Sequence, residues 1–180
     1  MTDAAGAESV FVALQRPLWT DPVKATGPVD GEGVTRIGRY DVTTGEWTWF
    51  GYQLEATVTV GDWMGLSEVV AVDADTLAVI ERDKLSGPVA AVKRVYSVEL
   101  GDTAGLAGLG APGELPVLEK SLAIDVLPAL QSVNGWTQEK LEGLTVGADG
   151  QVYAVTDNDG LDDATGETVF LRLGSASGLF

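Results

Sequence analysis

Thr156-Asp157-Asn158-Asp159-Gly160, with Asp162-Asp163 just behind it, is the densest acidic segment of this 180-residue chain. Asp, Asn and Asp in succession offer the hard oxygen donors that Ca²⁺ takes, and Gly160 permits a sharp turn. The alternating ligand spacing and closing Glu of an EF-hand are missing. An Asx-rich turn between strands would give the same residues purely local hydrogen bonds, so both readings stand. Glu68 and Glu142 open two similar segments, each before a strand expected to lie innermost in its unit. That would set both carboxylates around a common channel, as metal ligands or as an acid and a base. Alternatively each Glu latches neighbouring backbone groups, and metal binding or structure is favoured over proton transfer.

Two arginines are candidates for holding a substrate. Arg82, inside Glu81-Arg82-Asp83-Lys84, has the planar fork that grips phosphate or carboxylate in bidentate fashion. It could equally pair internally with Glu81 or Asp83, which is the safer reading. Arg16, in Arg16-Pro17-Leu18-Trp19, joins a cation to an aromatic ring, an arrangement suited to a ligand or to a packed corner. The five Trp residues are read as core and sheet-edge packing.

Composition narrows the chemistry further. There is no histidine, so a Ser-His-Asp triad, a histidine zinc site and an imidazole base are all excluded. There is no cysteine, which removes disulfides and thiolates. Catalysis must therefore use carboxylates, Lys, Tyr, Ser/Thr or a hard metal on oxygen ligands. Eleven Lys and Arg face 27 Asp and Glu, a net charge of −16 that repels nucleic acid and anionic membranes and attracts cations. No apolar run approaches the roughly 18 residues of a membrane helix, and no basic-then-apolar leader opens the chain. With 45% hydrophobic residues the chain can build a core, and it is read as one domain over 1–180 with residues 1–9 disordered.

The elements that position these residues read as strands. Val10–Leu14, Val34–Tyr40, Trp47–Leu54, Val69–Val72, Leu77–Glu81, Val92–Leu100, Leu144–Val146, Val152–Thr156 and Val169–Leu173 are short β-branched and aromatic runs bounded by Gly, Asp, Asn and Pro. Thr43-Thr44-Gly45 and Ala148-Asp149-Gly150 read as hairpin turns. Gly101–Gly113 reads as a surface loop. Glu119–Leu130 is open between helix and strand, ended in either case by Pro128.

Internal repetition points to an architecture. Aligned without gaps, Glu68–Asp83 and Glu142–Asp157 match at five of sixteen positions, both terminal acids included. Each unit closes on a basic, aromatic strand: Lys93-Arg94-Val95-Tyr96 and Phe170-Leu171-Arg172-Leu173, with Arg36-Ile37-Gly38-Arg39-Tyr40 as an earlier copy. The expectation is an all-β fold of antiparallel β-propeller blades, about three in number, the first entered midway near Val10. Rings of this kind use roughly 4–8 blades, so this ring is incomplete. The chain is read as the C-terminal part of a longer protein. Its missing partner would be the remaining blades or a second copy.

At the same residues the chain resembles the phytase-like family, described by an esterase-like activity of phytase. Val12-Ala13-Leu14-Gln15-Arg16-Pro17-Leu18 is similar to its "alqsPL" segment, although Arg16 stands where a small polar residue is commoner. Arg36–Asp41 resembles its "R..ryD" strand, and Gly65-Leu66-Ser67-Glu68 with Ile80-Glu81-Arg82 its "glsEl…vlER" pair. Leu141-Glu142-Gly143-Leu144 with Thr156-Asp157-Asn158-Asp159 resembles its "EGl…vsDNd" pair. The resemblance implies a bacterial, usually exported propeller with a hydrolase-like role, extracellular or periplasmic as a full-length protein. By likeness to propeller phytases it also implies calcium, held by Glu68, Glu142, Asp157, Asn158 and Asp159. Glu68 and Glu142 would then be the catalytic carboxylates, with Arg16 or Arg82 steadying a small anionic substrate.

Overall fold

The computed structural model describes residues 8–108, 110, 113–132, 136–158 and 167–180. Eleven strands follow one another as β1 (Ser9–Ala13), β2 (Val34–Asp41), β3 (Trp47–Gln53), β4 (Met64–Ala71), β5 (Thr76–Asp83), β6 (Lys93–Glu99), β7 (Leu106–Ala107), β8 (Lys120–Asp125), β9 (Lys140–Val146), β10 (Gln151–Asp157) and β11 (Phe170–Ser175). Two short helices, α1 (Leu127–Ser132) and α2 (Ala176–Leu179), complete the described elements. The strands form three antiparallel sheets, ordered β1-β2-β3-β7, β4-β5-β6-β8 and β11-β10-β9. The fold is therefore all-β.

Alternation along the strands explains how the sheets stack. In the first sheet Ile37, Phe50 and Tyr52 face one way and pack against Leu66, Leu77, Val79, Tyr96 and Val98 of the second. The second sheet turns Ala78, Ile80 and Val95 the other way, onto Leu141, Leu144, Val152 and Ala154 of the third. Both faces of the middle sheet are covered, and all eight residues of β5 are buried. Each such aliphatic side chain contributes about 1.5–3 kcal/mol on leaving water. The three leading edge strands, β1, β4 and β9, lie beside one another in that order, with β4 in the middle. Leu66 N–H donates to the Gln15 carbonyl at 2.9 Å, tying the exit of β1 directly to β4.

Several expectations need correction. β1 pairs with β2 and holds the same edge position as β4 and β9, so the first sheet is not entered midway; its opening strand is the Val10 strand itself. Ser9 begins that strand and the Glu8 carbonyl accepts from Val42 N–H, so residues 8 and 9 are ordered; residues 1–7 lie outside the described part. The glycine-rich stretch after β6 is more than a surface loop. It crosses to the first sheet, where β7 pairs with β3 and Val117 bridges Gly51, then returns as β8 to the outer edge of the second. Gly51 keeps that approach uncrowded, since a Cβ would lie 3.0 Å from a Val117 methyl. Pro128 sits near the start of α1 instead of ending an element, as its fixed φ and missing N–H allow.

The ungapped repeat alignment is also one residue out. Ala71 pairs with Leu77 and Val146 with Val152, so the two hairpins superpose one residue further along than the matching acids suggested. In that register each leading strand carries a β-bulge at the same level. Ser67 bulges between Leu66 and Glu68, and Glu142 between Leu141 and Gly143. Glu142 is thus the counterpart of Ser67, and Glu68 that of Gly143. A one-residue slip changes which way a strand residue points, so Glu68 and Glu142 do not form the symmetric pair expected.

Candidate functional site

The two bulges meet at one guanidinium. Arg82, buried in β5, donates from Nε to Ser67 Oγ at 2.9 Å and from Nη2 to Glu142 Oε1 at 2.6 Å. Its Nη1 donates to the Asp83 carbonyl at 3.2 Å and lies 3.5 Å from Glu139. Bulges re-aim side chains, and here they supply the acceptors that a buried cation requires. Arg82 is therefore an internal ion pair, but with Glu142 and Glu139 instead of the Glu81 or Asp83 side chains. With these donors engaged, it organises the junction of the second and third sheets. Glu68 is half-buried in β4, and its Oε1 accepts from the Val69 amide at 3.0 Å, the local latch described above.

Trp63 connects this node to a cleft. Arg82 lies 5.5 Å from the Trp63 ring centre, and the exposed Arg16 lies 4.8 Å from the same ring. Gly65 makes room for the indole, since a Cβ there would stand 2.7 Å from it and 3.0 Å from the Gln15 carbonyl. The cleft beyond has a volume of about 510 Å³, within the usual range for small-molecule sites. Arg16, Lys24, Glu55, Asp62, Trp19 and Trp63 are among the residues lining it. Lys24 lies 5.5 Å from the Trp19 ring, so a second cation–aromatic pair serves the same cleft. Lys24 also adopts a left-handed backbone, φ 55°. Asp21 holds that turn by accepting from the Ala25 and Thr26 amides and the Thr26 hydroxyl.

Glu55 is the cleft carboxylate with the best-defined state. Its Oε1 accepts from the Tyr96 hydroxyl at 3.0 Å and lies 3.4 Å from Lys120 Nζ. Burial pushes its carboxyl up, but the Tyr96 hydrogen bond and the Lys120 charge outweigh burial and hold it below the usual carboxylate range. Tyr96 is pushed up to about 12, by burial first. Behind it Glu81, fully buried, accepts from Tyr52 and from Lys120, each at 2.7 Å. Lys120 lies between rings, 4.2 Å from the centre of Tyr96 and 4.6 Å from that of Tyr52. Burial and the adjacent Glu81 raise Tyr52 as well. The sequence reading missed Glu55, Trp63 and Lys120. The acidic Gln53-Leu54-Glu55 strand exit was the signal available for Glu55; nothing local marks the other two.

Asp157 ends β10 with Asn158 next to it, while Asp159 lies outside the described residues. Among the described residues no three acidic side chains gather as a metal-binding group. Glu142 already serves Arg82, whose positive charge opposes a cation beside it. The described carboxylates thus do not assemble a cage.

These features define an all-β protein whose charged residues gather where the leading edges of its sheets meet, beside a cleft carrying two cation–aromatic pairs. The family model for phytase-like proteins, "Esterase-like activity of phytase", matches residues 1–160, and the chain belongs to that family. No curated protein and no solved structure gives a match. Among the described residues no helix is long and apolar enough to cross a membrane.

Proposed function

We propose that the chain is a phytase-like hydrolase domain acting on phosphoesters or carboxylic esters, with the substrate's anionic group held by Arg16 in the Trp63 cleft. The observation that carries this reading is the exposed Arg16 stacked on Trp63 at a cleft in a chain of this family. Stacking on an indole leaves the guanidinium edge free to meet an anion. Glu55, kept ionised, stands in the same cleft as a hydrogen-bond acceptor that can orient a water. Arg82 and Glu142 set the position of Trp63 and hence of Arg16, and Glu68 stiffens β4. Within the same proposal the sheets are propeller blades, and the working protein lies outside the cytoplasm. Calcium belongs to Asp157, Asn158 and Asp159, as a staple of the segment after β10.

Turnover of a phosphomonoester, of phytate and of a short-chain ester tests the reading directly. Arg16→Ala should lower kcat/KM for an anionic substrate at least about ten-fold, the value of one charged hydrogen bond. Equal activity in wild type and Glu142→Gln removes Glu142 from the site.

A second reading, a binding module without catalysis, is favoured by the internal engagement of Glu68 and Glu142. Ligand binding in the cleft with no turnover of any of the three substrates would decide for it.

A further inference from the structure

The charges of the Arg16–Trp63 cleft restrict what can occupy it. All of its lining residues lie between the end of β1 and the start of β4. Its walls are therefore supplied by the first sheet and its junction with the second, and depend on neither terminus of the chain.

Two of the lining side chains are cations without an anion. Acidic residues outnumber basic ones by 27 to 11 in this chain. Even so, neither Arg16 nor Lys24 has a carboxylate within ion-pairing distance among the described residues. Each lies against an indole instead, Arg16 on Trp63 and Lys24 on Trp19, and both cations are exposed.

Carboxylates limit how much negative charge can meet them. Glu32, Glu55 and Asp62 line the same cleft, so two cations face three anions and the lining is one charge negative. The Lys84 amide fixes Asp62 by donating to Oδ1 at 3.2 Å, while Oδ2 is buried with no hydrogen-bond donor among the described residues. Each phosphate monoester brings about −1.5 to −2 at neutral pH. A molecule with several would set most of its charge against these carboxylates, within a chain of net charge −16. Much of the remaining wall is apolar, the two indoles with Pro17, Leu54 and Met64. Such a wall fits an aryl or alkyl body.

We propose that the ligand of this cleft is an organic anion of a single charge on an apolar body, and that Glu32 and Asp62 enforce this by repelling polyanions. Among phosphoesters the class is an aryl or alkyl phosphodiester, and a polyphosphorylated molecule such as phytate is rejected. The proposal rests on the cleft being the substrate site, as read above, and narrows that reading.

Titrations followed by tryptophan emission at low salt, where like-charge repulsion is least screened, test it with four probes. Methyl phenyl phosphate carries one charge and a ring; phenyl phosphate carries about two charges and the same ring. Dimethyl phosphate has one charge and no ring, and phytate has many charges. Methyl phenyl phosphate should bind tightest, each of the others about ten-fold more weakly or worse. Glu32→Gln, at an exposed side chain, and Asp62→Asn should each narrow the gap between phenyl phosphate and its methyl ester, circular dichroism confirming that both variants are folded. Tightest binding of phytate or phenyl phosphate overturns the proposal. So does equal binding of dimethyl phosphate, a gap that neither variant narrows, or no binding of the methyl ester at millimolar concentration. Binding in the expected order without hydrolysis would remove the enzyme reading and leave this one standing. Hydrolysis of phytate bound tightest of the four would do the reverse.

Discussion

Ser67 of β4 and Glu142 of β9 occupy the same bulge position in neighbouring sheets, and both bond the guanidinium of Arg82, at 2.9 and 2.6 Å. The second and third sheets are thus joined at their leading edges by one buried cation and two re-aimed side chains. Trp63, against that cation, passes its position on to Arg16.

Removing the carboxylate leaves a buried charge short of its acceptor. Glu142→Ala is expected to destabilise the fold by about 3 kcal/mol, and Glu142→Gln, which keeps an oxygen acceptor, by clearly less. Urea denaturation of the two variants checks the order.

Gly65→Ala places a methyl where the Trp63 indole lies. The expected cost is about 1–3 kcal/mol, with a shift in tryptophan emission as the ring moves from the arginines. Unchanged emission and stability would show that the indole does not depend on this glycine.

Lys120→Met strands the fully buried Glu81 with no cationic partner. A loss of about 3–5 kcal/mol is expected. Adding Glu81→Gln should recover part of it, since the double variant buries no unpaired charge; a double-mutant cycle measures the coupling.

The Asp21 turn should fail in acid. Hydrogen bonds from Thr26 and Ala25 lower the Asp21 carboxyl from its ordinary value to about 2. A lowered folded pKa contributes stability that is present above the ordinary carboxylate value and lost as pH falls toward 2. Lys24 should then leave Trp19, changing Trp19 emission over that interval, while Asp21→Asn should show no such transition. An emission change of the same size in Asp21→Asn would assign the transition to another group.

Calcium at the end of β10 should raise the melting temperature at millimolar concentration, whereas magnesium, which sheds water reluctantly, should do so less. No shift with either ion removes calcium from this protein.

The sequence by itself determined nine of the eleven strands, β7 and β8 excepted. The apolar and aromatic runs in Trp47–Gln53 and Thr76–Asp83, bounded by turn residues such as Gly45, are a local property and need no partner to be read. It also fixed the exclusion of histidine and thiol chemistry, and Arg16 as a candidate. Register was decided only in three dimensions. Matching acids suggested that Glu68 and Glu142 were equivalent, but hairpin pairing and two bulges made Ser67 the counterpart of Glu142. Strand β7 has two residues and exists only because β3 presents an edge to it. The meeting of Arg82, Trp63 and Arg16, and of Glu55, Lys120 and Glu81, joins residues far apart in the chain. Spacing cannot encode such contacts; the stacking of sheets creates them when it removes both faces of β5 from water and forces each buried charge to find a partner.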